Sequence, residues 1–98
     1  RILVAGHTDD VPVSNKAVKF EDNWELSTKR ALVATRILAE SGIEQNKLGV
    51  SGFAEHDPIA SNDSAEGRSE NRRVELMVLP NMAKVLESVR TAQAGEAN

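Results

Sequence analysis

The sequence predicts an α/β sandwich, in which a mixed β-sheet is covered on one face by a helix. An apolar run, a helical pattern and a second apolar run are typical of two parallel strands joined by a helical crossover. A third segment alternates apolar and polar residues and ends at a proline, a pattern typical of a further strand. The predicted element order is therefore β-α-β-β, followed by a C-terminal helix.

The composition favours one globular domain. The chain has 98 residues, of which 40% are hydrophobic and 28% charged, enough for one modest core. A net charge of -3 gives no basic surface for nucleic acid. Cysteine is absent, which excludes disulfides and thiolate sites. No apolar run approaches the roughly 18 residues of a membrane span. Because Arg1 leads directly into an apolar strand, we expect a fragment of a longer protein.

The first strand and the long loop after it are predicted at residues 1–7 and 8–22. Ile2 to Ala5 form a contiguous apolar run that Gly6 ends. The segment that follows is polar and contains Pro12, which indicates a loop. Loops of about 15 residues inside a small domain often have a function.

The central helix is predicted from about Trp24 to Ser41. Asn23 is expected to be its N-cap, and Gly42 to end it. The apolar positions that follow helical spacing are Leu26, Val33, Ala34, Ile37 and Leu38. This pattern predicts one apolar face against the sheet.

The rest of the chain is predicted to contain two strands and one helix. The strands lie at 47–53 and 72–79, and the segment between them, 54–70, is predicted to be irregular. In the last strand the apolar positions Val74, Leu76 and Val78 alternate with Glu75 and Met77. Residues 81–93 predict an amphipathic helix through Met82, Val85, Leu86 and Val89, and 94–98 a frayed tail. The domain is accordingly placed at 1–80, and the C-terminal helix and tail at 81–98.

The candidate binding residues lie where the first strand ends. Asp9 follows that strand, and ligands favour the crevice beyond the carboxyl ends of strands joined by parallel crossovers. The next helix points its N-terminus, with Asn23, toward the same crevice. Arg30 shares a helix face with apolar Leu26 and Val33, so its charge requires an explanation.

Two interpretations of Arg30 remain open. In the first, it extends along the surface or pairs with Asp9 or Asp10 for stability. In the second, Asp9 and Arg30 form a clamp for a zwitterionic amino acid. Asp9 would accept the ammonium group, and the guanidinium would hold the carboxylate through two parallel hydrogen bonds. Asn23 could add a polar contact, and no activated nucleophile is required.

Metal and enzyme chemistry have weaker support. The possible metal ligands are His7, Asp9, Asp10, His56 and Asp57. Their spacing matches no zinc pattern and no EF-hand loop. No serine occupies a nucleophile elbow, and nothing in the sequence brings Asp9 and Glu55 together as an acid–base pair. We therefore expect no catalytic residue, no metal and no cofactor, and a protein that is not an enzyme.

A charged cluster at residues 66–75 precedes the last strand. It is either a solvated turn with internal ion pairs or an interaction surface built on Arg68, Arg72 and Arg73. The glutamates interleaved with these arginines weaken the idea of a polyanion site.

Four separated motifs resemble those of the OmpA-like peptidoglycan-binding domain. They are GHTD at 6–9, NWELS at 23–27, Arg30-Ala31, and NRRVE at 71–75. The resemblance covers about residues 1–80 and implies a β-α-β-α-β-β sandwich. The family domain begins with a further strand and helix before GHTD. Since the chain has neither, we expect it to lack an edge strand of the sheet and a loop that helps to wall the pocket.

The resemblance implies non-covalent binding of the diaminopimelate residue of a peptidoglycan stem peptide. It assigns the ligand to Asp9 and Arg30, with Asn23 as the family's asparagine. The ligand-binding set that follows is Asp9, Asn23, Arg30, Thr8 and Leu26, with Asp10, Arg72 and Arg73 as further candidates.

The loop after GHTD and the NWELS motif most resemble the MotB-type stator proteins of the flagellar motor. This resemblance implies that the chain anchors a membrane complex to the cell wall. It also implies a periplasmic domain of a bacterial inner-membrane protein, a homodimer, and a MotA-like partner reached through a membrane segment outside this chain. Outer-membrane OmpA proteins, the lipoprotein Pal and a type VI secretion accessory protein are the alternatives.

Overall fold

The computed structural model describes residues 1–15, 19–80 and 82–97 and contains a three-stranded mixed sheet. Strand β1 (Ile2–Gly6) lies between β2 (Leu48–Gly52) and β3 (Val74–Val78). It pairs in parallel with β2 and antiparallel with β3. The predicted α/β sandwich and its parallel crossover are thus confirmed, and the ends of the predicted strands shift by one or two residues.

Helix α1 (Asn23–Glu40) connects β1 to β2. Its N-cap is Asp22, whose carboxylate accepts from the Glu25 amide at 2.8 Å. The prediction of Asn23 as the N-cap was wrong by one residue, because the Asn23 side chain turns inward and donates to loop carbonyls. Gly42 follows the helix with φ of 109°, the left-handed conformation expected of a residue that ends a helix.

Small residues set the contact between α1 and the sheet. A Cβ atom on Gly6 would collide with the backbone carbonyl of Ser27, so only glycine permits this approach. Ser27 and Ala31 are fully buried at the contact. As a result Val33 and Ile37, which the helical pattern placed on the apolar face, are 45% and 57% exposed. That part of the prediction was wrong because the close approach of the α1 backbone to Gly6, and not side-chain size, decides which face the helix buries.

Helix α1 leaves the apolar face of β3 largely uncovered. Val74 is paired with Gly6, so Val74, Leu76 and Val78 lie on the face of the sheet that α1 contacts. Helix α1 packs mainly over β1 and β2. Leu76 and Val78 are therefore 54% and 79% exposed.

A short helix, α2 (Ala65–Asn71), occupies part of the segment predicted to be irregular, and that prediction was wrong there. Ser64 is its N-cap and accepts from the Gly67 amide. Asn71 at its end is fully buried, accepts from the amides of Ile59 and Ala60, and donates to the Ala60 carbonyl. Helix α2 thus ties the loop after β2 to the start of β3.

The last helix, α3 (Met82–Ala97), extends past the predicted end at Gln93. On its predicted apolar face, Leu86 and Val89 are about half exposed. The side chains of Met82 and Val85 lie outside the described residues. None of the helices in the described part of the chain combines the length and the apolar character needed to cross a membrane.

Candidate functional site

The segment that leaves β1 is buried although it is polar. His7, Thr8 and Asp9 are each no more than 2% exposed. The His7 amide donates to the Arg73 carbonyl and the Thr8 amide to the Ala54 carbonyl, both at 2.9 Å. Thr8 Oγ1 donates to the Asp9 carbonyl at 2.8 Å. Hydrogen bonds to two other parts of the chain therefore hold Asp9 in place.

The Asp9 carboxylate forms an ion pair with Arg72. Arg72 Nη1 lies 2.7 Å from Asp9 Oδ2, and the Val11 amide donates to Oδ1 at 3.0 Å. Arg72 is the residue directly after α2, so the NRRVE motif is brought to the GHTD motif across the fold. A charge-assisted bond to a buried carboxylate fixes its orientation strongly.

Arg30 approaches the same segment from the helix. Its Nη1 donates to the His7 carbonyl at 3.4 Å, and the residue is partly buried. Arg30 thus contacts this backbone carbonyl, while the Asp9 carboxylate pairs with Arg72. The Arg30 guanidinium is held two residues before Asp9 in the chain.

Asn23 connects α1 to the loop. Its Nδ2 donates to the Asp9 carbonyl at 3.4 Å and to the Val11 carbonyl at 3.2 Å. Its Oδ1 is buried and has no hydrogen-bond partner among the described residues. A buried acceptor left unpaired costs about 1–3 kcal/mol, so this atom is suited to a ligand donor. Leu26, three residues further along the helix, is 4% exposed.

An open cavity of about 280 Å³ lies beside Asn23, between the loop and the start of α1. Its lining residues are Asp10, Pro12, Val13, Ser14, Glu21, Asp22, Asn23, Trp24 and Glu55. Asp10, one of the further candidates, is exposed here. The cavity is strongly acidic, because four of these side chains are carboxylic acids.

Arg73 belongs to a different network from its neighbour Arg72. It bonds to the Glu75 carboxylate and donates to the Asp57 carbonyl at 3.0 Å. Glu75 Oε2 lies 3.7 Å from Nε2 of His7, whose ring stacks on Phe53 with centroids 5.1 Å apart. Burial, and then the nearby Arg73, lower the pKa of His7. The hydrogen bond from Arg73 lowers the pKa of Glu75.

Possible metal ligands do not converge in the described ranges, where no group of three or more His, Asp or Glu side chains could hold an ion. Sequence reasoning missed three features of the site. These are the Asp9–Arg72 pair, the buried Asn71 and a ring contact between Trp24 and His56. Asn71 and Arg72 had a usable signal, since both stand in the NRRVE motif, but the motif indicates no hydrogen-bond partner for either.

The family of the chain follows from the sequence comparison. The model of the OmpA family matches residues 1–72. The chain belongs to the OmpA family. Motility protein B of Bacillus subtilis (strain 168) is 42% identical over 80 residues, which are 81% of this chain and 30% of that relative. This OmpA-family chain therefore spans less than a third of the length of that relative.

Solved structures agree with this assignment. The C-terminal domain of Helicobacter pylori MotB has a TM-score of 0.77 and 34% identity, over 100% of this chain and 72% of that one. The cell wall anchor of the type VI secretion system from Pseudomonas aeruginosa has a TM-score of 0.73 and 34% identity, over 83% and 55%. The predicted OmpA-like fold and the likeness to MotB are confirmed.

Proposed function

We propose that this OmpA-family chain binds peptidoglycan without chemical change, through the diaminopimelate residue of the stem peptide. Asp9 and Asn23 accept from the ligand ammonium group, and Arg30 holds the ligand carboxylate. Thr8 and Leu26 support the site. The observation that carries the proposal is the buried Asn23 Oδ1, which has no hydrogen-bond partner in the described part of the chain. The Nδ2 of the same side chain donates to the backbone carbonyl of Asp9.

The charges of the site suit a zwitterion. The Asp9 carboxylate is buried and oriented by Arg72, so it presents its charge in a fixed direction. A guanidinium has five N–H donors, and Arg30 uses one of its nitrogens on the His7 carbonyl. The remaining donors can grip a carboxylate through two parallel bonds. Binding of this kind needs no nucleophile and no metal.

We further propose that the chain anchors the flagellar motor stator to the cell wall. The similarity to Motility protein B and to the C-terminal domain of MotB supports this role. The chain would then lie in the periplasm as part of an inner-membrane protein. It would act as a homodimer with a MotA-like partner. The similarity to a type VI secretion cell wall anchor supports a second candidate, anchoring of a secretion complex.

Binding to defined stem peptides tests the site. Asp9→Asn and Arg30→Ala are each expected to weaken binding to a diaminopimelate-containing stem peptide by at least about tenfold, since a desolvated charged contact is lost. Calorimetry on the parent and the variants measures the change. Arg36→Ala is the matched control, because Arg36 is exposed on the same helix.

Two results would contradict the proposal. One is parent-like affinity of both Asp9→Asn and Arg30→Ala with folding unchanged by circular dichroism. The other is equal affinity of the parent for stem peptides that carry lysine in place of diaminopimelate, since lysine lacks the second carboxylate.

A further inference from the structure

The His7 ring is buried although it is an ionisable group. It is 1% exposed, and neither of its nitrogens has a hydrogen-bond partner among the described residues. One face of the ring stacks on Phe53, with 7° between the two ring planes. A buried charge without a close partner is costly, so these surroundings suit a neutral ring. The neutral form of His7 is therefore the one that this fold accommodates.

Charged groups from other segments face the ring. Glu75 of β3 lies 3.7 Å from Nε2, but its carboxylate is also bonded to Arg73. Burial, and then Arg73, lower the pKa of the ring and outweigh Glu75 and Asp57, which raise it. A proton on the ring adds a second buried N–H donor, which must draw Glu75 away from Arg73 or remain without an acceptor. Protonation of His7 therefore disturbs the contacts around it.

The backbone of His7 supports both of the charged residues in the proposed ligand site. Its carbonyl accepts from Arg30 Nη1 at 3.4 Å, and Arg30 is the charged group that approaches His7 from α1. Its amide donates to the Arg73 carbonyl at 2.9 Å, and Asp9 lies two residues further along the chain. A displacement of the ring therefore moves the residue that holds Arg30 and precedes Asp9.

We propose that His7 is a proton-operated switch of the binding site, which holds the ligand while the ring is neutral and releases it when the ring is protonated. The switch rests on the function proposed above. Acid favours forms of the protein in which the ring leaves its buried position, because those forms bind a proton more readily. Affinity for the stem peptide should therefore be full at neutral pH and fall as the pH drops below about 6.5, the ordinary pKa of histidine.

Calorimetry with an N-acetylated, diaminopimelate-containing stem peptide between pH 7.0 and 5.0 tests the switch. Among ordinary side chains only histidine changes its charge in this range, and the groups of this ligand do not. The affinity of the parent should fall by at least about threefold, with a limit of about tenfold per pH unit for one proton. His7→Phe, which keeps a ring against Phe53, should lose this pH dependence. His56→Gln is the matched control and should keep it, because His56 is the other histidine and is exposed.

A measurement on the unaltered protein does not depend on how the variants fold. Binding and protonation are linked reciprocally, so the ligand must lower the pKa of His7 by the same factor by which protonation weakens binding. NMR titration of the His7 ring signals, with and without saturating stem peptide, measures this shift.

The outcomes separate the switch from the proposed function. A parent affinity that is constant from pH 7.0 to 5.0, or a pKa of His7 that the ligand leaves unchanged, would overturn the switch and leave the function intact. The switch is also wrong if His7→Phe keeps the pH dependence of the parent, or if circular dichroism shows the parent unfolded at pH 5.0. Absence of binding at every pH would contradict the proposed function itself, and the switch with it.

Discussion

Two regions of this small sheet differ in the kind of side chain that they bury: the carboxyl end of β1, and the face of β3 on the side of α1. At the carboxyl end of β1 the buried side chains are polar, among them His7, Asp9 and Asn71. Beside α1, the apolar side chains Leu76 and Val78 of β3 are largely exposed. Buried polar groups are tolerated where hydrogen bonds satisfy them, and Asn71 and Asp9 show this pairing. The buried His7 ring, in contrast, has no such partner among the described residues. Apolarity alone therefore does not decide which side chains this protein buries.

The close contact at Gly6 provides the strongest test of this comparison. Gly6→Ala should destabilise the protein by about 3 kcal/mol or more, because its Cβ would overlap the Ser27 backbone, which cannot yield as a side chain can. Gly49→Ala is the matched control in the neighbouring strand. There the new Cβ would meet only the Leu3 side chain at 3.3 Å, so a much smaller effect is expected. Urea denaturation measures both, and equal effects would show that the helix can move away from the sheet.

The buried His7 predicts how stability depends on pH. Because burial and Arg73 lower its pKa in the folded protein, the unfolded chain binds more protons below a pH of about 6.5. The free energy of unfolding should therefore fall as the pH drops through this range, by at most about 1.4 kcal/mol per pH unit for one proton. Thermal denaturation at several pH values measures this slope.

Variants at the two histidines identify the group responsible. His7→Phe keeps a ring against Phe53 and should flatten the slope, since neither ring nitrogen of His7 has a hydrogen-bond partner among the described residues. His56→Gln should leave it unchanged, because His56 is 58% exposed. A slope that persists in His7→Phe would assign the pH dependence to other groups, such as Glu75, whose lowered pKa acts at more acidic pH.

The exposed face of β3 should give the smallest effect. Leu76→Ala is expected to change the free energy of unfolding by no more than about 0.5 kcal/mol, as for other surface positions. Val4→Ala in the adjacent strand, where Val4 is fully buried, should cost about 2 kcal/mol. A comparable loss at Leu76 that depends on protein concentration would show that a second molecule covers this face in solution.

Local patterns were sufficient for the strands and the long helix. The apolar run before Gly6 and the alternation at Val74–Val78 gave the right elements, because side-chain period depends only on neighbouring residues. The same reasoning overlooked α2, since its seven mostly polar residues include a glycine and show no apolar face. It also placed Asp9, Asn23 and Arg30 near one strand end, where the structure has them.

By itself, the sequence determined the order of the three strands, the long helix and the C-terminal helix, and the motifs that identify the OmpA family. Only the tertiary structure decided that Arg72 orients Asp9 and that Arg73, the next residue, serves another network. It also decided that α1 buries Ser27 and Ala31 in place of Val33 and Ile37. The physical reason is the same in both cases. These choices depend on backbone approach and charge pairing between segments far apart in the chain, which no local pattern of residues encodes.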